Sequence, residues 1–326
     1  MFLRLLKEAF RLTPVFLFGS AGETLTEKGG HLNLGTPGVI CIGAAGGMVG
    51  VSLFDAIYGS LGLTGFPLVF LLYLHTILFA LLFGAISGVI FSFFTVSLRC
   101  NQNVMGLAFT TFGIGFYGLI FVALGKDIFF YNTYCSAINT LFVKDIDADN
   151  WFALLFGANG LLWYLSFIFA ICIAIVMRKT RAGLIVETVG ENAGCADAAG
   201  INVSKTRYLS TMLGSAISAL GGLYYFIEIN VGLVEFGTVD AYGWLAVALV
   251  IFTLWKTDLG IIGAFLFAFL FKLPEIYSLP SAQLNMLFTY LPYFVTIVIL
   301  VMISIFDKKG TQAPSNLGIP YFREER

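Results

Sequence analysis

Few residues in this chain are of types that do chemistry, and their spacing fits no familiar catalytic or metal-binding pattern. The two histidines, His31 and His75, are too few for a zinc site. The five cysteines form no C-x-x-C pair, and they are Cys41, Cys100, Cys135, Cys172 and Cys195. No G-x-x-x-x-G-K-[ST] segment is present to cradle the phosphates of ATP. We therefore expect no enzyme activity, no metal and no cofactor bound by this chain.

The composition of the chain indicates that the helices carrying its polar residues lie in lipid. Of the 326 residues, 59% are hydrophobic and only 11% are charged, whereas a soluble domain carries about 25% charged residues. The formal net charge of -1 offers no basic surface for nucleic acid. We expect membrane lipid, and not nucleic acid, to surround most of the chain.

Apolar segments long enough to cross a bilayer recur along the sequence. A crossing takes about 20 mostly apolar residues, and this length predicts an all-α, polytopic integral membrane bundle with eight or nine transmembrane segments. Residues 1–306 form its transmembrane domain, with a long polar loop at 178–206, and residues 307–326 form a tail. The segments are 10–22, 34–54, 66–98, 103–124, 151–177, 207–229, 241–255, 258–272 and 283–306.

The distribution of basic residues predicts which loops face the cytoplasm, where lysine and arginine accumulate. Loop 178–206 with its flank and the tail are basic, so both are predicted to be cytoplasmic. Loops 125–150 and 228–240 are dominated by acids, so both are predicted to be external. The basic residues are Arg178, Lys179, Arg181, Lys205, Arg207, Lys308, Lys309, Arg323 and Arg326, and the acids are Asp127, Asp145, Asp147, Asp149, Glu228, Glu235 and Asp240.

The first third of the chain allows several topologies. If the first basic residues and Arg99 face the same side of the membrane, an even number of crossings must separate them. The sequence has three apolar segments between them, which is an odd number. Either 10–22 lies in the membrane interface, or 66–98 is not one simple helix, or 34–54 is broken and only dips into the membrane. The first basic residues are Arg4, Lys7 and Arg11.

The second segment has the composition of a broken span. It begins Leu34-Gly-Thr-Pro-Gly38 and contains four further glycines. Irregular backbone is tolerated at membrane depth only where it lines a cavity or is buried in protein. We expect part of a path through the membrane here, lined by uncharged amides that can hydrogen-bond a polar solute without holding a charge in lipid. These amides are Asn33, Asn101, Gln102 and Asn103, and helix capping or helix–helix bonding is their alternative role.

Few ionisable residues are expected inside the bundle. Glu228 lies near a segment end and is predicted to be solvated, as are Lys256 and Asp258 in a turn. An ion-coupled transporter needs ionisable groups deep in the membrane. Their expected scarcity argues against a self-sufficient secondary transporter or channel, which is the alternative from a different class, and it places the source of coupling energy outside this chain.

The loop at 187–202 carries small residues about three apart, which a helix places along one face. Gly200 fits a helix stop with Ile201 packing just beyond it, and Asn202 then starts the approach to the next segment. This pattern predicts a short helix whose small-residue face lets another protein dock, whereas a plain surface loop is the alternative. The small residues are Ala193, Ala196, Ala199 and Gly200.

Several of these segments together resemble one transporter family. The loop segments Arg181-Ala-Gly-Leu, Val189-Gly-Glu-Asn, Ala196-Asp-Ala-Ala-Gly-Ile-Asn-Val and Tyr208-Leu are similar to the cytoplasmic loop of ATP-binding-cassette (ABC) importer permeases. The resemblance is strongest to the branch serving nucleosides, which is related to ribose and branched-chain amino-acid permeases. Residues 26–35 and 101–108 resemble segments that open two spans in that branch.

The resemblance implies a plasma (inner) membrane permease subunit for nucleosides with a cytoplasmic C-terminus. Ribose-like sugars or branched-chain amino acids are the alternative substrates. It implies a partner ATPase that hydrolyses ATP, a second permease subunit, and an extracytoplasmic substrate-binding protein or lipoprotein. Pro37 stands where the family commonly has an acid, which argues against a shared substrate contact at 33–38 and for a heterodimer of unlike permeases. The coupling-helix role is carried to Gly190, Glu191, Ala196, Ala199, Gly200 and Ile201.

Overall fold

The computed structural model describes residues 1–63, 65–143, 151–157, 159–234, 237–277, 281–305 and 312–322, and within these ranges the chain is helical without strands. The helices are α1 (Phe2–Lys28), α2 (Thr36–Tyr58), α3 (Phe66–Ser92), α4 (Gln102–Leu124), α5 (Ile128–Phe142), α6 (Trp151–Phe156), α7 (Leu161–Lys179), α8 (Arg181–Glu191), α9 (Ala193–Ala198), α10 (Val203–Tyr224), α11 (Val239–Phe252), α12 (Thr257–Ile276), α13 (Ala282–Thr289) and α14 (Leu291–Ile305). Several residues used to predict orientation lie outside the described ranges, namely Asp145, Asp147, Asp149, Glu235, Lys308, Lys309, Arg323 and Arg326.

Among the described residues, six helices are long and apolar enough to cross a membrane. The predicted count of eight or nine crossings is not confirmed by this measure. Two of the predicted segments are each divided between two helices: 151–177 contains α6 and α7, and 283–306 contains α13 and α14. The six stretches are Thr36–Leu61, Phe66–Ser97, Gln102–Leu124, Leu161–Lys179, Val203–Ile229 and Thr257–Ile276.

Helix α1 lies at the centre of the bundle although it is not among the six. It has 27 residues, so it is about 40 Å long at 1.5 Å per residue. It packs against α7, α10, α11 and α12. Its buried residues include Glu23 and Glu27, and such polar residues lower its mean hydropathy even though they do not face water.

The two ends of α1 lie at opposite ends of the bundle. At one end, which we call the loop end, Lys28 Nζ lies 2.7 Å from Glu187 Oε1 in α8. At the other, the far end, the Arg11 guanidinium donates to the main-chain oxygen of Glu228, beyond α10, at 2.6 Å.

This placement resolves the topology of the first third. Ser97 bonds Tyr208 at the start of α10, so the following Arg99 belongs to the loop end, whereas Arg11 belongs to the far end. The premise that both residues face the same side is therefore wrong. Three helices, α1 to α3, run between them, and this odd number fits residues that lie at opposite ends.

Glycines let the central helices approach backbone to backbone. A Cβ added to Gly222 of α10 would lie 1.8 Å from the main-chain oxygen of Ile40 in α2, and one added to Gly43 would lie 2.0 Å from that of Ala219. Because no side chain fits in such a space, α2 and α10 depend on glycine at their contact.

A short π-helical turn, Tyr225–Ile229, follows α10. Such turns leave main-chain carbonyls without their usual helical donors. Side chains of other elements supply donors here: Arg11 bonds the oxygen of Glu228, and Asn139 Nδ2 bonds that of Ile227 at 2.7 Å. The turn thereby joins α1, α5 and α10 at the far end.

Candidate functional site

The 178–206 loop folds into α8 and α9 before α10 begins. Gly200 has a φ of +83°, and the amide of Ile201 donates to the oxygen of Ala196 at 3.0 Å, which is the bonding expected of a glycine helix stop. The predicted stop at Gly200 is confirmed, and Asn202, where the sequence predicts the approach to segment 207–229, lies directly before the first residue of α10. Each of the three helices is capped at its N-terminus by a polar side chain: Thr180, Asn192 and Asn202.

The small residues of α9 do not form the single face that their spacing predicts. Ala193 and Ala196 are buried and pack with Val189 and Val203, whereas Ala199 is exposed. The reason is that α9 ends at Ala198, so that Ala199 has already left the helix. The inner alanines therefore attach α9 to its own chain, and only the outer residues are open to another protein.

The six residues predicted to dock the ATPase divide in the same way. Gly190 packs against the end of α1, because a Cβ there would lie 2.1 Å from the main-chain oxygen of Lys28. A partner could touch the exposed members directly, whereas the buried members hold the shape of the loop. Glu191, Ala199 and Gly200 are exposed, Ile201 is half-buried, and Gly190 and Ala196 are buried.

Residues 29–35 connect α1 to α2 by running inward beside α4, and we call them the inward segment. The amide of Leu32 donates to Gln102 Oε1 at 2.8 Å, and Thr110 Oγ1 donates to the oxygen of Leu34 at 2.7 Å. Helix α2 is continuous from Thr36 to Tyr58. The interruption predicted for the second span therefore lies before the helix and not within it.

Buried polar side chains hold the inward segment to α1. Glu23 Oε2 accepts from the Asn33 amide at 3.3 Å and from the Thr36 hydroxyl. One helical turn further on, Glu27 accepts from the indole of Trp255. Both acids are no more than 2% exposed. Sequence reasoning missed this cluster, since an acid near a helix end usually faces water and its partners here come from three separate elements.

A third buried acid lies at the far end. Glu228 is 3% exposed, and its Oε1 accepts from the Tyr73 hydroxyl at 2.6 Å and from the amide of Leu162 at 3.3 Å. The prediction that Glu228 is solvated is therefore wrong. A carboxyl leaves water only when donors replace the lost hydration, and α3 and α7 provide them. The scarcity of buried acids no longer argues against ion coupling.

The four amides predicted to line a path occupy two kinds of position. Asn33 and Gln102 are buried, at 1% and 2% exposure, and both bond the inward segment. Asn101 caps α4 by accepting from the amides of Asn103 and Val104, and both Asn101 and Asn103 are exposed at the loop end. The buried pair is bonded inside the bundle, whereas the exposed pair lies on the surface of the loop end.

Two further buried polar side chains stand beside the inward segment. His31 Nδ1 lies 2.8 Å from Thr211 Oγ1. Burial first, and the nearby Arg207 second, lower the pKa of His31 to about 3, so its ring is neutral at pH 7. Arg207 is 2% exposed and donates to the main-chain oxygen of Ile319 at 3.1 Å. No group of three potential metal ligands occurs among the described residues.

Comparisons with known proteins point to one class of transporter. A family model described as branched-chain amino acid transport system / permease component matches residues 5–304. A nucleoside ABC transporter permease of Lactococcus lactis subsp. cremoris (strain MG1363) is 29% identical, over 96% of this chain and 94% of that protein. A guanosine ABC transporter permease of Bacillus subtilis (strain 168) is 28% identical, over 94% and 92%. A putative glucose ABC transporter permease of Haloferax volcanii is 27% identical, over 82% and 75%. No solved structure matches the chain.

Proposed function

The chain belongs to the family of branched-chain amino acid transport system permease components, and from this premise we propose that it is the membrane subunit of an ATP-driven nucleoside importer. The proposal is carried by one observation: two relatives that span nearly the whole chain are named for nucleoside and guanosine transport. In this function the chain provides the path through the membrane, and a partner hydrolyses the ATP.

Sugars are the second substrate class. A putative glucose permease is similar to 82% of the chain, and buried amides suit hydroxyl groups as well as base edges. Nucleosides contain both a sugar and a base. The inward segment, with Asn33 and Gln102 fixing its shape, is where we place the path for such an uncharged substrate. Branched-chain amino acids are supported only by the description of the family.

The loop end faces the cytoplasm in this proposal. Loop 178–206 with its flank is basic, as cytoplasmic loops are, and its Arg178 and Arg181 are exposed. The described residues 312–322 lie at the same end, because the amide of Asn316 donates to Gly190. The start of α1 then faces outward, toward a substrate-binding protein.

The ATPase docks on the exposed part of α8 and α9. We place the contact at Glu191, Ala199 and Gly200, while Gly190, Ala196 and Ile201 hold the surface in shape. A second, unlike permease subunit completes the path, and the exposed apolar faces of the bundle are shared between that subunit and lipid.

Uptake of labelled nucleosides tests the substrate. In cells lacking this chain, restored expression should restore uptake, and an excess of unlabelled nucleoside should abolish it. Competition by ribose or glucose but not by nucleosides would assign the sugar class instead. The ATPase, a second permease and a binding protein should co-purify with the wild-type chain. Uphill transport by the chain alone in liposomes would overturn the importer assignment.

Ala199→Arg tests the docking surface. Because Ala199 is exposed and outside α9, arginine there should leave the bundle folded while blocking a close contact with the ATPase. We expect co-purification of the ATPase and uptake to be lost together. Ser60→Arg, exposed at the far end, is the matched control. Gly200→Arg is less clean, since the φ of +83° at this position strains any side chain.

A further inference from the structure

Residues 314–322, which we call the strap, cross the loop end and bond five separate places there. Its beginning is anchored, because Pro314 is buried, and its end carries the ring of Phe322 4.6 Å from the Arg99 guanidinium. The bonds are Ser315 N and Oγ to Glu191 Oε2 (3.2 and 2.9 Å), Asn316 N to Gly190 O (2.9 Å), Gly318 N to Gly30 O (3.3 Å), Arg207 Nη1 to Ile319 O (3.1 Å) and Tyr321 Oη to Asp197 Oδ2 (2.9 Å).

These bonds connect α8 and α9, on the surface of the loop end, to the inward segment and α10 inside the bundle. Glu191 and Asp197 belong to α8 and α9, on the outer part that we assign to the ATPase. Gly30 belongs to the inward segment, and Arg207 lies in α10, which runs to the far end. The strap is thus one continuous piece of chain between the docking surface and the segment that shapes the path.

Helix α9 depends on such support. It has six residues, and helices this short are unstable on their own. A cavity of about 420 Å³ lies beside it, lined by Arg99, Asp197, Arg207 and Tyr321 among others. Close packing therefore does not hold this side of α9. Tyr321 instead packs against the buried cluster of Val189, Ala193, Ala196 and Val203, and its hydroxyl bonds Asp197.

We infer that the strap is a brace that makes α8 and α9 move as one unit with the inward segment, and that Ser315 and Tyr321 are positioning residues for coupling. The inference rests on the proposed function. When the ATPase displaces α9, the strap passes the displacement to Gly30 and Arg207. Without the strap, α9 would follow the ATPase while the path stayed in place, so ATP would be hydrolysed without transport.

The first test does not depend on transport. Hydrogen exchange is measured on the purified full chain and on Tyr321→Phe, which removes only the hydroxyl. Loss of one hydrogen bond to a charged acceptor should speed exchange in residues 190–201 roughly tenfold. Tyr208→Phe is the matched control, because it removes an exposed tyrosine hydroxyl bond at the same end that does not involve α9. Unchanged exchange in Tyr321→Phe would overturn the brace.

The second test measures coupling. Tyr321→Asp places a carboxyl beside Asp197, so the strap should detach. We expect the ATPase still to co-purify, nucleoside uptake to fall at least about fivefold, and ATP hydrolysis to fall much less, so that ATP used per nucleoside rises. An unchanged ratio would overturn the brace and leave the importer assignment intact. If the wild-type chain neither binds an ATPase nor restores uptake, the proposed function fails, and exchange alone decides whether the strap braces α9.

A cross-link provides a third check. In a background with Cys100, Cys172 and Cys195 replaced by serine, Asp197→Cys and Tyr321→Cys are joined by a short bifunctional thiol reagent. Because the link replaces the bond that the double variant lacks, joining should raise uptake above that of the unjoined protein. Uptake that stays the same or falls on joining would contradict the brace.

Discussion

The inward segment and the α9–strap region lie at the same end of the bundle but are held by different means. The inward segment is bonded by side chains that are almost fully buried, such as Asn33 and Gln102, and it passes α4 where only glycine fits. In the α9–strap region, Arg207 is buried, but Glu191 is exposed and Tyr321 is half-buried. A buried bond costs more to break, because the freed group does not regain water. The chain therefore has a rigid part beside a part whose individual bonds cost less to break, which we call the rearrangeable part.

The two regions meet at a contact between backbones. Gly190, at the end of α8, lies against Lys28 and Gly30, with the ideal Cβ of Gly190 3.2 Å from the amide nitrogen of Gly30. Gly318 of the strap bonds Gly30 from another direction. Movement of the rearrangeable part can reach the rigid part through this contact and through the strap, so variants that separate the two regions should uncouple ATP hydrolysis from transport.

Overpacking the contact of α2 with α4, directly after the rigid part, should have the largest effect. A Cβ on Gly38 of α2 would lie 2.5 Å from the main-chain oxygen of Phe109 and 2.7 Å from Thr110 Cα. Gly38→Val should therefore cost at least about 3 kcal/mol, the upper part of the range for overpacking, and little monodisperse protein should be recovered in detergent. Gly115→Val on α4 is the control, because no atom lies within 4 Å of its Cβ. Equal recovery of both variants would contradict a tightly packed contact of α2 with α4.

Separating the two regions should have the next largest effect. A Cβ on Gly190 would lie 2.1 Å from Lys28 O, so Gly190→Val should push α8 away from α1. We expect the bundle to keep its melting temperature within a few degrees, because the helices in the membrane are untouched, while uptake is lost. Uptake at the wild-type level would show that α8 does not transmit movement through this contact.

Two of the four amides predicted to line a path, Asn33 and Asn103, test whether burial sets the cost of losing a side chain. Asn33→Leu removes the acceptor of the buried Gly35 amide and one of the two donors to Glu23 Oε2, the other being Thr36. Leaving the Gly35 amide unpaired should cost about 1 to 3 kcal/mol. Asn103→Leu, at an exposed position, should stay within about 0.5 kcal/mol. The apparent melting temperature of each variant is measured in the same detergent. Equal melting temperatures would mean that a buried and an exposed asparagine contribute equally to stability.

Local signals in the sequence predicted the local features well. The helix stop at Gly200 follows from glycine reaching a positive φ, and the approach to the next helix begins at Asn202 as predicted, where the structure adds a side-chain cap. The sequence Leu34-Gly-Thr-Pro-Gly38 predicts a break in the second span, and the structure has non-helical chain directly before α2. Each of these depends on residues within a few positions of one another.

Features that depend on distant partners were not predictable in this way. The burial of Glu27 depends on Trp255, and the strap depends on pairs such as Asp197 with Tyr321, far apart in sequence. Hydropathy read along the chain places an acid in water unless its partner is known. For the same reason, hydropathy predicts only the short segment 10–22 of the longer α1. The charge of Arg11 predicts the wrong end of the bundle, because Arg11 bonds the main chain beyond α10.

Breaking an exposed ion pair should cause the smallest loss of stability among these substitutions. Arg178 Nη2 lies 2.7 Å from Asp258 Oδ1, and the two side chains are 54% and 41% exposed. Water screens such a pair, which is worth about 0 to 1 kcal/mol. Asp258→Asn should therefore lower the melting temperature little at low salt and not at all at high salt, where the pair is already screened. A loss as large as that of Asn33→Leu would mean that exposed bonds at the loop end are as costly to break as buried ones, and the distinction between a rigid and a rearrangeable part would fail.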